Sequence, residues 1–256
     1  MFQIIQYIKF LLKSTNQHGV HSPFVYDLVT TCFYDRTPHA AYRKLKTYRT
    51  QLLNNKTTIA ISDFGSGSRV FTSNERPISA IAKNSGTPLK RAQLLYRIVT
   101  YFKPEHTLEL GTSLGIATQA IALGHPKNKI ISLEGCPAIS KFTTAQLSEA
   151  DIDNATLITG AFETSLPKLK EASYDFIFFD GNHNKAATLH YFEVLLDKMH
   201  NDSVFIFDDI HWSKDMLDAW EQIKRHPKVT VTIDTFFWGF VFFRKEQAKE
   251  NFTIRV

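Results

Sequence analysis

Cysteine is scarce in this chain of 256 residues, which holds only Cys32 and Cys136. Two thiols cannot build a disulfide framework or a four-thiolate zinc site, so neither a disulfide-stapled secreted domain nor a zinc ribbon is expected. No apolar run approaches the roughly 20 residues that span a bilayer, so no integral helical membrane protein is expected. The stretch from Met1 to Leu12 is apolar but interrupted by Gln3, Gln6 and Lys9, without a basic leader or small-residue cleavage site. There is no internal repeat and no low-complexity tract. These absences predict a reduced, cytoplasmic protein with no membrane partner. Against them stand 43% hydrophobic and 21% charged residues, an ordinary globular composition. The length suits one large domain, or one domain with a modest appendage.

Charge is unevenly spread. Up to His106 there are 15 Lys and Arg against 5 Asp and Glu, a net of +10; from Thr107 onward 15 stand against 20, a net of −5. Such asymmetry can mark an anionic partner. It is equally what the solvated face of a helix looks like, with Arg43, Lys44, Lys46 and Arg49 turned to water. No RNA- or DNA-binding motif accompanies the charge, so a nucleic acid is not the expected partner.

Two regimes follow each other along the chain. Ile4, Ile5, Ile8, Leu11 and Leu12 share one face at helical spacing. A Gly-His-Ser-Pro break follows, then an apolar helical pattern from Phe24 to Phe33 and a basic amphipathic helix from Ala40 to Leu53. Residues 1 to about 56 therefore read as helical, without a sheet of their own, and the N-terminal helical cap is expected to span residues 1–76. After Lys103 the pattern becomes strand, turn and helix in repetition, with strands at Thr107–Leu110, Lys129–Leu133, Ala155–Thr159, Tyr174–Phe179 and Ser203–Phe207. The last two strands, Val229–Ile233 and Phe236–Phe243, have almost nothing between them and should pair antiparallel. Residues 77–256 thus predict an α/β domain: a doubly wound, mostly parallel, seven-stranded sheet closed by an antiparallel terminal hairpin.

The first of these strands runs into Glu109-Leu110-Gly111-Thr112-Ser113-Leu114-Gly115. Glycines at a strand-to-helix turn let a cofactor approach the backbone, and the helix N-terminus favours a negative group such as a carboxylate. The next strand ends in Glu134, placed to accept hydrogen bonds from two ribose hydroxyls. A nicotinamide fold would show a third glycine in G-x-G-x-x-G/A form, which is missing here. A second acidic glycine loop, Asp63 to Ser68, lacks a strand-and-helix series after it and reads as a turn against the cap.

Two later strands end alike, in Phe179-Asp180-Gly181-Asn182-His183 and in Phe207-Asp208-Asp209-Ile210-His211. Strand carboxyl ends form the ligand crevice of an open parallel sheet. Asp180, Asp208 and Asp209 would there be costly neighbours unless a cation or proton neutralised them. Oxygen ligands favour a hard divalent ion, with magnesium first and manganese or calcium as alternatives. The plainer reading makes Asp208 or Asp209 a helix cap. His183 is either a general base beside the cation or a plain loop histidine. His211 and Trp212 either line the same mouth or pack.

Together, the runs ELGTSLG (Glu109–Gly115), LEG (Glu134), FFDGNH (Phe178–His183) and FDDIHW (Phe207–Trp212) resemble class I S-adenosylmethionine-dependent methyltransferases. The resemblance spans about residues 77–243. It is nearest the small-molecule O-methyltransferase branch that holds catechol, caffeoyl-coenzyme A and macrolide-sugar enzymes. It implies a Rossmann-like fold and an enzyme that uses S-adenosyl-L-methionine and a divalent metal on a small-molecule hydroxyl. Gly111 with the loop Thr112, Ser113 and Gly115 would hold the methionine part, with Glu109 near its amino group. Glu134 would bind the ribose, and Ala161 and Phe162 would meet the adenine, although the usual acidic residue there is missing. Asp180, Asp208 and Asp209 match the metal ligands, Asp180 also bordering the cofactor. Two acids at the last two positions are nearer the sugar-modifying kind, and with no lysine base evident His183 takes that role. An RNA or protein methyltransferase, a non-catalytic cofactor-binding subunit and a homodimer through the cap or the hairpin are the alternatives carried forward.

Overall fold

The computed structural model describes residues 1–62 and 75–256, so the acidic glycine loop from Asp63 to Ser68 lies outside the described residues. The chain forms two compact units, one of Met1–Tyr34 with Glu171–Val256 and one of Asp35–Lys170. This division does not follow the boundary expected after residue 76. The first unit opens with helix α1 (Phe2–Lys13) and the short α2 (Pro23–Asp27), which runs into a π-helical turn at Leu28–Phe33. Ser22 caps α2 by accepting from the Val25 amide at 3.4 Å, and Pro23 at the first helical position gives up no hydrogen bond there.

The unit of residues 35–170 begins with α3 (Ala40–Asn54). Strands β1 (Thr58–Ala60) and β2 (Glu75–Pro77) then pair antiparallel, Ile59 opposite Arg76. The Thr58-Ile59 run thus pairs with a distant extended segment, which local periodicity does not reveal. Helices α4 (Ile78–Asn84) and α5 (Leu89–Phe102) follow. α5 stops where Lys103 turns left-handed (φ 49°) ahead of Pro104. The alternation then proceeds through β3 (His106–Leu110), α6 (Ile116–Gly124), β4 (Lys129–Glu134), α7 (Pro137–Glu149), β5 (Ala155–Thr159) and α8 (Phe162–Ser165). Strand β4 lies between β3 and β5, parallel to both, with Glu109 opposite Ser132 and Glu134 opposite Thr159.

The chain returns to the first unit with β6 (Phe176–Phe179), α9 (Lys185–Leu195), β7 (Val204–Asp208) and α10 (Lys214–Arg225). It ends in β8 (Val231–Asp234), β9 (Trp238–Phe242) and β10 (Glu250–Thr253). The strand order here is β10, β8, β9, β7, β6. β6 and β7 are parallel, β9 runs antiparallel to both β7 and β8, and β10 is parallel to β8. The α/β class, the mostly parallel strands and the terminal hairpin agree with the sequence. Counting five strands here and β3 to β5 gives eight among the described residues, not seven; the addition is β10. Burial on both faces explains the uninterrupted aromatic runs: Phe176, Phe178, Phe205, Phe207, Phe240 and Phe242 are all buried, with Trp220 and Trp238 beside them. Phe24 and Phe33 from the N-terminal segment meet Phe242 and Phe240 at ring separations of 5.0 Å.

Candidate active site

In the unit of residues 35–170 the expected cofactor residues gather at the carboxyl ends of β3, β4 and β5. Three backbone conformations shape the turn: Gly111 (φ 102°), Ser113 (φ 47°) and Gly115 (φ 72°). Gly115 is required for a second reason, since a Cβ there would come within 2.7 Å of the Thr143 methyl group. Helix α6 therefore starts without a side-chain cap, its first amides left for other partners. Tyr48 of α3 fixes this turn from below, its buried hydroxyl donating to the Leu114 carbonyl at 2.7 Å. Burial pushes that phenol far above its ordinary range.

Two carboxylates close the turn. Glu109 is fully buried; its Oε2 accepts from Thr118 Oγ1 at 2.6 Å and from Ser132 Oγ at 2.5 Å, and the Ser132 hydroxyl in turn meets Thr112 Oγ1 at 2.5 Å. Its other oxygen, Oε1, is buried with no hydrogen-bond partner among the described residues. Burial raises the Glu109 carboxyl from 4.5 to about 7, against the two hydroxyl bonds that lower it, with the nearby Glu134 charge adding to the rise. Glu134 is 9% exposed and joins the turn to the next helix, Oε2 accepting from the Ser113 amide and Oε1 from the Cys136 amide, each at 2.9 Å. Burial raises its pKa too, partly offset by the backbone donors. Ala161 and Phe162, both half-buried, follow Gly160, whose amide donates to the Glu134 carbonyl at 2.9 Å. The structure thus brings together Glu109, Gly111, Thr112, Ser113, Gly115 and Glu134 around one turn. Tyr48, Thr118 and Ser132 are additions. Ser132, a polar residue between Ile131 and Leu133, was the available signal for one of them.

In the other unit, Asp180, His183 and Asp208 offer one ligand atom each, and these atoms lie within 4.8 Å of one another. Asp180 follows the end of β6, Asp208 ends β7, and His183 stands on the turn before α9. That turn is set by Asn182 in a left-handed conformation (φ 52°), its amide donating to the Tyr191 hydroxyl at 3.1 Å. The cluster joins His183 to two of the three acids expected, Asp180 and Asp208. Asp208 is the last residue of β7, and Asp209 turns left-handed (φ 55°) as the chain leaves the strand. His211 packs rather than lining an opening. It is 8% exposed, stacks on Phe236 at 5.0 Å and 9°, and holds Asp234 Oδ2 through Nε2 at 2.8 Å. Trp212 is 37% exposed.

Parts of the chain are similar to known proteins. Residues 108–210 match a family described as a methyltransferase domain. Over 93 residues the chain is 34% identical to catechol O-methyltransferase B of Danio rerio, an alignment covering 34% of this chain and 35% of that protein. The chain thus spans about a third of the length of this curated relative. Among solved structures, the S-adenosylhomocysteine-bound Podospora anserina methyltransferase PaMTH1 superposes with a TM-score of 0.62 at 15% identity, covering 88% of this chain and 97% of that one. The O-methyltransferase TomG of Streptomyces achromogenes, solved with S-adenosylmethionine, gives 0.58 at 13% identity over 86% and 95%.

Proposed function

We propose that this chain, a class I methyltransferase by its fold and by the family of residues 108–210, transfers the methyl group of S-adenosylmethionine to the hydroxyl oxygen of a small molecule. The observation that carries the reading is the pair of buried carboxylates at the glycine turn. Glu134 spends one lone pair of each oxygen on a backbone amide and keeps the others for vicinal hydroxyls. Glu109 keeps a whole oxygen, Oε1, buried and unpartnered, a fit for an ammonium group. A cofactor with both a ribose and an amino-acid end suits that donor and acceptor set. The cluster of Asp180 and Asp208 with His183 beside them fits a divalent cation: two carboxylates whose oxygens lie within 4.8 Å of each other repel unless a cation or a proton neutralises them.

In this mechanism Glu134 orients the nucleoside and Glu109 the amino-acid end, so that the sulfonium methyl is fixed before the acceptor arrives. Asp180 and Asp208 would hold the cation, and His183 would accept the proton of the attacking hydroxyl. The cation, when bound, lowers the pKa of that hydroxyl. The acceptor is a small molecule on the strength of the O-methyltransferase relatives, and RNA or protein methylation finds no motif in its favour. The test is a thermal-shift titration with S-adenosylmethionine, S-adenosylhomocysteine and NAD, each with and without magnesium or manganese. The melting midpoint should rise with the two sulfur nucleosides only. A rise with NAD, or none with either nucleoside, overturns the proposal.

A further inference from the structure

Helix α1 is amphipathic the wrong way round for a helix that covers a core. At roughly 100° per residue, Ile4, Ile5, Tyr7, Ile8, Leu11 and Leu12 occupy a continuous arc of about 160°. Their exposures run from 37% at Leu11 through 53% at Ile8 to 83% at Leu12, while the one buried residue, Phe10, lies on the opposite side near Gln6. A frayed end does not explain this, because both ends of the contact are built. The Thr15 amide donates to the Thr253 carbonyl at 2.9 Å and the Arg255 amide to Thr15 at 3.0 Å, in a short parallel bridge beside β10. The Arg255 guanidinium reaches the Leu11 carbonyl at 3.3 Å. Tyr7 and Phe10 pack on Phe236 at 4.8 and 5.6 Å, and Phe236 in turn contacts Phe237, which is 47% exposed and extends the apolar surface.

We propose that this outward face of α1 docks on the surface of a lipid bilayer, with the helix lying in the interfacial plane. Twelve residues make about 18 Å, too short to cross a hydrocarbon core of about 30 Å but suited to lying on it. Width argues against a second copy of the helix as the occupant. A partner helix covers only the narrow seam of Ile4, Ile8 and Leu11 and leaves Ile5 and Leu12 in water. A flat apolar phase covers the whole arc. Charge points the same way: Lys9 borders the arc beside Ile5, and no Asp or Glu occurs between Met1 and Tyr26, so nothing in this segment repels anionic headgroups. The proposal is independent of the reaction catalysed, and it revises the expectation of no membrane partner without a spanning segment, since no helix among the described residues is long and apolar enough to cross.

The test is flotation of the full chain with phosphatidylcholine vesicles, with and without about 30% phosphatidylglycerol, alongside sedimentation velocity without lipid. The wild type should float with the anionic vesicles, and Ile8→Glu with Leu12→Glu should lower the bound fraction at least tenfold while the circular-dichroism melt is unchanged. Should the double variant not fold, Leu12→Glu alone, at the most exposed position of the arc, gives the same comparison. A wild type that floats with neither vesicle overturns the proposal. So does one that floats equally well with the substitutions. A lipid-free dimer that these substitutions convert to monomer, without vesicle binding, assigns the face to a second copy and overturns it as well.

Discussion

Replacing Glu109 with Gln should remove a pH dependence of stability that the buried carboxyl imposes on the ligand-free chain. The group ionises near 4.5 when exposed and near 7 in the folded state. Its folded pKa is raised, so between those values the folded chain binds the proton more tightly than the unfolded chain. The associated stability is fully present below about pH 4.5, falls as pH rises, and is lost above about 7. The separation corresponds to about 3 kcal/mol over that window. Gln keeps an acceptor for Thr118 and Ser132, but puts an NH₂ where Oε1 now stands unpartnered. That buried donor shifts the variant's absolute stability by about 1–3 kcal/mol at every pH. The informative quantity is therefore the slope. Urea unfolding of both proteins at intervals from pH 5 to 8 should give a difference that moves by at least 2 kcal/mol in the variant's favour as pH rises, about two-thirds of the estimated span. Other carboxylates titrate in both proteins and cancel. Parallel stability curves across that range would refute the reasoning, because they would mean that Glu109 ionises as freely inside the fold as outside it.

Further outcomes follow from the same turn and from the cation cluster. Gly115→Ala should cost about 2–4 kcal/mol, combining left-handed backbone strain with the clash on Thr143, as read from urea midpoints. Tyr48→Phe removes the donor to Leu114 and should cost about 1–2 kcal/mol, visible as a lower melting temperature without loss of secondary structure. Asp208→Asn should weaken manganese binding at least tenfold by calorimetry while leaving the S-adenosylhomocysteine affinity within about twofold. His183→Gln should lower kcat by about a hundredfold or more, read from initial rates at saturating S-adenosylmethionine.

What could be read ahead of the structure was local. The strands of the alternating series announced themselves through apolar runs ended by Gly or Asp, and β8 and β9 through the shortness of their connection. Helix α10 begins at Lys214, two residues later than its apolar pattern begins, because Ser213 caps it by accepting from the Met216 amide at 3.1 Å. Contacts between distant segments left no trace in any window. Nothing near Tyr48 names Leu114, and nothing near His211 names Asp234, although an acid ending the strand Val231–Asp234 was a hint. Periodicity also marks a face without saying what covers it. The five aliphatic residues of α1 were legible as a stripe, yet the stripe faces outward, because Phe10 and the bridge to β10 hold the other side.

The first unit is discontinuous in the chain, and this bears on how the protein emerges from the ribosome. Phe24 and Phe33 find their ring partners on β9, and the segment after α1 finds its bridge beside β10, so residues 1–34 cannot finish folding until the last strands are made. The intervening stretch, Asp35–Lys170, is a compact unit with its own parallel strands and is complete much sooner. At about 5–20 residues per second, translation of the 86 residues from Glu171 to Val256 separates the two events by roughly 4–17 seconds. Throughout that interval the leading helix is a solvent-exposed apolar segment on a half-made chain, which makes it a natural substrate for chaperones that capture nascent hydrophobic stretches.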